Sequence, residues 1–576
     1  MHDTSGANRY SGRITMERTR GNVVRWLFDS RHGPPDRLIP RWIFLRALAV
    51  IYFSAFYSLL FQIKGLIGPG GILPAQHYLT AVARALDARC YWFAPSLFWI
   101  SASSHMLMAT MIVGLIAAVV AFFNLWPRLS FLICFVCFLS FVTATDVFSS
   151  YQSDGMLLEA GFLALFFTPP GLMPGWGADH PPSRASLFLL QWEWFRIYFE
   201  SGMVKLLSGD EQWRKLTAMD EYYQNGPLPT WIGWYVEHLP HWFHVASALG
   251  TLVLELGLVF MLFFPRRIRL ICFVIVTPWE LGVIFTANYT FLNYLVLSLG
   301  FLLLDDKHLR RFVPARFRPP ELARLAVTEP VEETSLSILN PSTGSEDPTL
   351  EVISAEKQRT TPRSRNRLAR HLGAVRLAVS VVMLSWIAYD TTAEMIGLPL
   401  HGVPLPTAPI VALDPFRIAN QYGLFAVMTR GRYEIEFQGS NDGSEWTAYP
   451  FRYKPQAVDR APGIYAPYQP RFEWNLWFAS LSDWRQNNFV VYTEACLLTN
   501  QPDVLALFRS NPFPQSPPRF TRAVLWQYWF TSKDEKQRTG NWWRRQLLGL
   551  YAPELTLTSN GNPGIVQWPE ELPAHD

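Results

Sequence analysis

Glu193, Arg196 and Glu200 recur at i, i+3 and i+7 along an apolar run at about 186–207. That spacing puts them on one face of a helix, where Arg196 can pair with either carboxylate. Lys205 falls well round from the stripe, near the end of the run. A central charge in lipid costs about 2.5–3.5 kcal/mol on translocon scales. The run is therefore either an internally paired polar seam in a helix bundle or the wall of a polar, proton-handling cavity. Asp154, Glu159, Glu255 and Glu280 each interrupt another apolar run and can join the same seam.

Other chemistry-bearing patterns are thinner. His238, His241 and His244 stand at i, i+3 and i+6, but no acid or cysteine follows at ligand spacing, so they read as interfacial histidines and no metal is expected. Cys134 and Cys137 form a CxxC inside the apolar run FLICFVCFLSF, where packing is the simpler reading. The five cysteines make no disulfide framework. There is no G-x-S-x-G, H-E-x-x-H, P-loop or dinucleotide fingerprint, and no cofactor is expected. Asn288-Tyr289-Thr290 fits a glycosylation sequon, yet it lies at a span boundary, too close to a bilayer to serve as an acceptor.

The elements that must position these residues follow from hydropathy. Half of the 576 residues are hydrophobic, and mean hydropathy is +0.09. That average hides apolar runs of membrane length between 42 and 304, and the 23 tryptophans suit membrane interfaces. Spans are expected at about 42–63, 104–126, 129–149, 155–172, 186–207, 242–264, 267–287, 289–304 and 376–396, those at 155 and 289 being short. The net charge of +4 excludes little, and no basic stripe interleaved with aromatics points to nucleic acid.

These runs divide the chain into five parts. Residues 1–40 are a basic cytosolic tail, and 41–304 form a transmembrane helical bundle. Residues 305–375 are a basic, disordered cytosolic loop, 376–396 the last transmembrane span, and 397–576 an extracytosolic α+β domain. The positive-inside rule fits nine spans, with the tail, Arg128, the 265–269 cluster and the 305–375 loop inside. In the last part, GLFAVMT, RYEIEFQGS and EWTAYPFRYKP predict a β-meander turning at Asn441-Asp442-Gly443-Ser444. Tyr433, Ile435 and Phe437 fall on one face, with Arg432, Glu434 and Glu436 on the other. FEWNLWFASL and NWWRRQLLGLY read as amphipathic helices.

With these elements placed, the sequence resembles the lipase maturation factor family. The resemblance is carried by LLEAGFL (157–163), SGMVKL, Ser208-Gly209-Asp210, the stretch from Trp213 to Asp220, Pro227-Leu228-Pro229, Trp234-Tyr235, His238-Leu239-Pro240 and Asn288 with Phe291-Leu292-Asn293. It continues through 420–423, 474–479, Asn511-Pro512-Phe513 and Trp542-Trp543, covering most of residues 40–555. It departs at Tyr222 and Gln224, where the family shows a His and an acid. The resemblance implies a multi-pass membrane protein that brings secreted lipases to their active form. The implied site is the 208–240 loop with Trp213, Asp220, Pro227, Pro229 and Trp234; the partners are an exported client, plausibly a lipase, and membrane lipid. The location implied is the endoplasmic reticulum membrane in a eukaryote or the inner membrane in a bacterium, with the C-terminal domain on the non-cytosolic side. A fainter similarity to the membrane core of vitamin K-dependent carboxylases supplies an alternative, a quinone-linked membrane enzyme with Lys205 as base.

Overall fold

A helix buries its own backbone hydrogen bonds, so an apolar run in or near lipid has little choice but to coil. The structure, a computed structural model, describes residues 23–149, 151–314, 316, 318, 367–400 and 402–570. Among the described residues a helix occupies each of the nine apolar stretches: α1 Leu38–Leu60, α2 Ser104–Phe122, α3 Pro127–Val142, α4 Gln152–Phe167, α5 Arg184–Leu207, α6 His241–Leu256, α7 Arg266–Thr286, α8 Leu292–Gly300 and α9 Arg367–Gly397. Five candidate spans, Pro35–Leu60, Ser104–Phe122, His241–Phe263, Arg266–Thr286 and His371–Gly397, are long and apolar enough to cross a membrane. Helices α3, α4 and α8 fall short of the ~20 residues a crossing needs, and α5 is long enough but charged.

Local sequence sets the helix ends. Ser103 and Ser183 cap α2 and α5 through their hydroxyls, and Pro127 opens α3, where its missing N–H costs nothing. The first span is capped from outside its own sequence. The Asp306 carboxylate accepts from the backbone N–H of Ile39 at 2.7 Å and of Leu38 at 3.3 Å, and Pro40 has no N–H to satisfy. Residues 305–314 were expected to be loop; they instead fold against α1, with Asp305 paired to Arg266 at 2.7 Å. Likewise α9 begins at Arg367, before the expected 376. Residues 1–22 of the basic tail and most of the 305–375 loop lie outside the described residues. Close approach within the bundle uses small residues: a Cβ on Gly161 would overlap the Tyr52 hydroxyl, which donates to the Leu157 carbonyl at 3.1 Å.

The C-terminal part holds a six-stranded antiparallel sheet of β1 Arg432–Ser440, β2 Thr447–Ala448, β3 Phe520–Phe530, β4 Trp543–Leu550, β5 Glu554–Leu557 and β6 Pro563–Gln567. The order is β2-β1-β3-β5-β6, with β4 also paired to β3. Helices α10 Arg471–Ala479 and α11 Phe489–Leu498 accompany it. The β1–β2 hairpin turns at the expected residues, where Gly443 has φ 79° and the Asp442 carboxylate accepts from the N–H of Ser444 and Glu445, both at 2.9 Å.

The rest of the expected meander does not form. The stretch 423–429 is no strand, because side chains of the helical half take its backbone N–H groups. NWWRRQLLGLY is not a helix: residues 543–550 pair with β3, whose alternating aromatic pattern offers an edge that a helix would leave empty. Most of β4 is exposed or half-buried, so its helix-like spacing of Trp and Leu did not report burial. Both faces of β1 are buried, not one. Phe437 stacks on Phe472 of α10 at 6.2 Å, while Arg432, Lys454 and Glu434 form a buried ion cluster on the other side.

Candidate functional site at the junction of the two halves

The seam charges of α5 do not pair along their own helix. Arg196, fully buried, bonds Glu159 of α4 and the Asn420 carbonyl, so its partner is neither Glu193 nor Glu200. Glu159 also accepts from the Asn420 N–H at 3.1 Å and the Tyr422 hydroxyl at 2.8 Å. Glu200 accepts from the Tyr422 N–H at 2.6 Å. Glu193 is buried with no hydrogen-bond partner on either oxygen. Lys205 Nζ lies 2.9 Å from Glu255 of α6, 3.0 Å from the Leu424 carbonyl and 3.3 Å from the Ser201 carbonyl. An ammonium has three donors, and here all three are engaged.

Most of these contacts converge on one segment, residues 420–432, which runs as a strap along the end of α5. Its stitching continues without a gap. Gly423 N–H donates to Gln152 at 3.0 Å and Leu424 N–H to the Ser201 hydroxyl at 3.1 Å. Met428 N–H donates to Asp210 at 2.7 Å, and Arg432 bonds the carbonyls of Gln224, Gly226 and Pro227.

The 208–240 loop takes the same strap and sheet from the other side. Trp213 donates its indole N–H to the Phe425 carbonyl at 2.9 Å, and the Lys205 ammonium sits 5.2 Å over its ring. Trp234 donates to the Thr531 carbonyl at 3.2 Å. Pro229 forms a bridge with Ala287. Asp220 lies 2.9 Å from His241, which places one of the three spaced histidines in a hydrogen bond with a carboxylate. His238 and His244 bond backbone carbonyls. Gln224, where the chain departs from the family pattern, accepts from Phe530 N–H of β3 at 3.0 Å.

Two anchors at this junction carried only faint signals in the sequence. Arg471 of α10 makes a bidentate pair with Asp154, both oxygens at 2.7 Å. It is the single basic residue in an otherwise aromatic helix, which was the available clue. Asn288 binds the Leu228 carbonyl at 3.1 Å and the Gly463 carbonyl at 2.9 Å, and accepts from Tyr465 N–H at 2.7 Å. A buried amide with both ends engaged ties three segments together and is closed to glycosylation.

Inside the junction lies a cavity of about 910 Å³, near the upper end of small-molecule pockets. Its walls come from α5, α6, α7 and α8, the 208–240 loop, the strap and α10, and they include Lys205, Glu255 and Glu280. Glu280 accepts from Tyr198 at 2.6 Å and from Asn293 at 2.7 Å. Among the described residues no three His, Cys, Asp or Glu side chains are grouped to hold a metal ion.

Comparison with known proteins follows this two-part build. Residues 39–311 match the lipase maturation factor transmembrane domain, and residues 418–553 match the lipase maturation factor C-terminal domain. Lipase maturation factor 2 of Gallus gallus is 31% identical, covering 92% of this chain and 83% of its own.

The chain belongs to the lipase maturation factor family.

Lipase maturation factor 1 of Bos taurus is 29% identical over 94% of each chain, and lipase maturation factor 2 of Mus musculus is 30% identical over 92% of this chain and 84% of its own. No solved structure matches. The two family domains meet at the strap, so the junction joins the parts that define the lipase maturation factors.

Proposed function

We propose that this protein is a membrane-anchored maturation factor that brings exported lipases to their active, assembled state. The observation that carries the reading is the similarity to lipase maturation factors through both family domains and over nine-tenths of the chain. The nine apolar helices build the membrane-embedded bundle in this reading, and the C-terminal sheet domain stands on the non-cytosolic side, where lipases fold. The distribution of charge supports that orientation. Arg37, Arg41, Arg128 and Arg266 gather at the end of the bundle where α5 begins, and the strap binds where α5 ends. Client contact falls to exposed aromatics beside the junction, Trp231, Tyr235 and Trp242, which are 43%, 51% and 69% exposed.

The test is co-expression of a secreted lipase with this chain in cells lacking their own maturation factor. The full chain raises lipase activity per unit of lipase protein. Trp231→Ala with Trp242→Ala loses more than about half of that gain while accumulating normally, as expected when interface aromatics are truncated. No gain from the full chain would overturn the reading.

A further inference from the structure

The junction cavity has a feature that the maturation reading does not use. Two of its unsatisfied polar groups are indole donors. The buried indole N–H groups of Trp474 and Trp477, both on wall residues of α10, have no hydrogen-bond partner. The hydroxyls of Tyr151 and Tyr289, also on the wall, have Asn475 and Tyr222 as their side-chain partners. Tyr151 and Tyr289 each pack edge-on to Trp474 with ring centroids 6.2 Å apart, so the Trp474 donor sits within an aromatic cluster. Buried donors left empty cost about 1–3 kcal/mol each, and native proteins keep few of them.

The two carboxyl groups of the wall already have partners. Glu280 is filled by Tyr198 and Asn293, and Glu255 is held by Lys205. A cationic guest finds no free acceptor among these groups, and an anionic guest meets two carboxyl side chains. An uncharged guest with acceptor oxygens and a long apolar body fits both the polar and the aromatic parts of the wall.

The route in is also visible. Gly250 of α6 and Gly282 of α7 line the cavity, and both are exposed. A Cβ built on either would have nothing within 4 Å. Helices α6 and α7 are candidate spans whose apolar windows are only 33% and 22% buried, so their outer faces look toward lipid. Helix α6 packs mainly on α5, and α7 mainly on the 258–263 turn and α8. Two exposed glycines on these helices leave room for entry from the side.

We infer that the junction cavity is a binding site for an acyl-ester lipid, which enters between α6 and α7, lays its chain among the aromatics and offers its ester carbonyls to the free donors of Trp474 and Trp477. This inference does not rest on the lipase reading, and its test measures binding alone.

The full chain in detergent micelles is incubated with a diazirine-bearing dioleoylglycerol, irradiated, and digested for mass spectrometry. Labelling is expected on peptides spanning 279–296 and 474–481, and excess unlabelled lipid should remove it. Competition by dioleoylglycerol assigns the site to neutral glycerides; competition by phosphatidylcholine assigns it to bilayer phospholipid; either supports the site. Gly250→Phe and Gly282→Leu fill open space rather than clash, and each should lower site labelling at least about tenfold in a protein that still elutes as a monodisperse peak. Trp474→Phe with Trp477→Phe keeps the shape, removes two donors and should weaken competition about fivefold or more. Labelling confined to outer helix faces and unchanged by filling, an adventitious additive only, overturns the site. Displacement by an apolar peptide but by neither lipid overturns it as well.

Discussion

At the residue scale, the charges of α5 matter through the partners they find in distant sequence. Lys205 illustrates this best. It is buried, its ammonium is held by one carboxylate and two carbonyls, and two aromatic rings, Trp213 and Phe425, flank it. Breaking such a pair from one side leaves an uncompensated buried charge and costs about 3–5 kcal/mol, whereas replacing both partners by apolar groups is often neutral. Lys205→Met should therefore cut accumulation of the folded protein severalfold. Lys205→Met combined with Glu255→Leu should recover most of it, as read by fluorescence-detected size exclusion. If the double variant accumulates as poorly as the single one, the ion pair is not what Lys205 is there for.

At the element scale, the strap and the ends of the helices show how the chain satisfies buried backbone. Residues 420–431 form no regular element, yet the N–H groups of Asn420, Tyr422, Gly423, Leu424 and Met428 are taken up by Glu159, Glu200, Gln152, Ser201 and Asp210. Those acceptors are the polar residues that make α4 and α5 poor membrane spans by composition. The first span gains the same kind of help at its start, where Asp306 accepts from two unpaired N–H groups. Losing a cap costs about 0.5–2 kcal/mol. Asp306→Ala should lower the melting temperature of the detergent-solubilised protein by a few degrees, and Asp306→Asn, which retains an acceptor oxygen, by less. Equal loss in both variants would point to the charge rather than the cap.

At the scale of the whole molecule, the Arg-rich end and the strap end of α5 are separated by a 24-residue helix, about 36 Å at 1.5 Å per residue. That exceeds the ~30 Å hydrocarbon core, long enough for the proposed orientation to put the two ends on opposite faces of a membrane. A glycosylation sequon inserted in the exposed hairpin at 441–444 should be modified when the protein is expressed in eukaryotic microsomes. One inserted between α6 and α7 beside Pro265 should not. Modification at the second site alone would reverse the proposed orientation.

Hydropathy by itself located the apolar helices α1 to α9, though not α11, because the helical backbone is the same solution to burial whatever packs on it. Motif order by itself pointed to the family. What the sequence left open was pairing. Arg196 can reach Glu193 or Glu200 by helical spacing, but spacing cannot show that Glu159 and the 420–422 backbone lie closer. Asp154 has no basic neighbour in sequence, since its partner Arg471 stands 317 positions away. Residues 543–550 carry a helix-like pattern and become a strand only because β3 offers a ladder. Sequence determined which residues must leave water; the tertiary fold decided which of them meet, because long-range hydrogen bonds and ion pairs depend on contacts that no local pattern encodes.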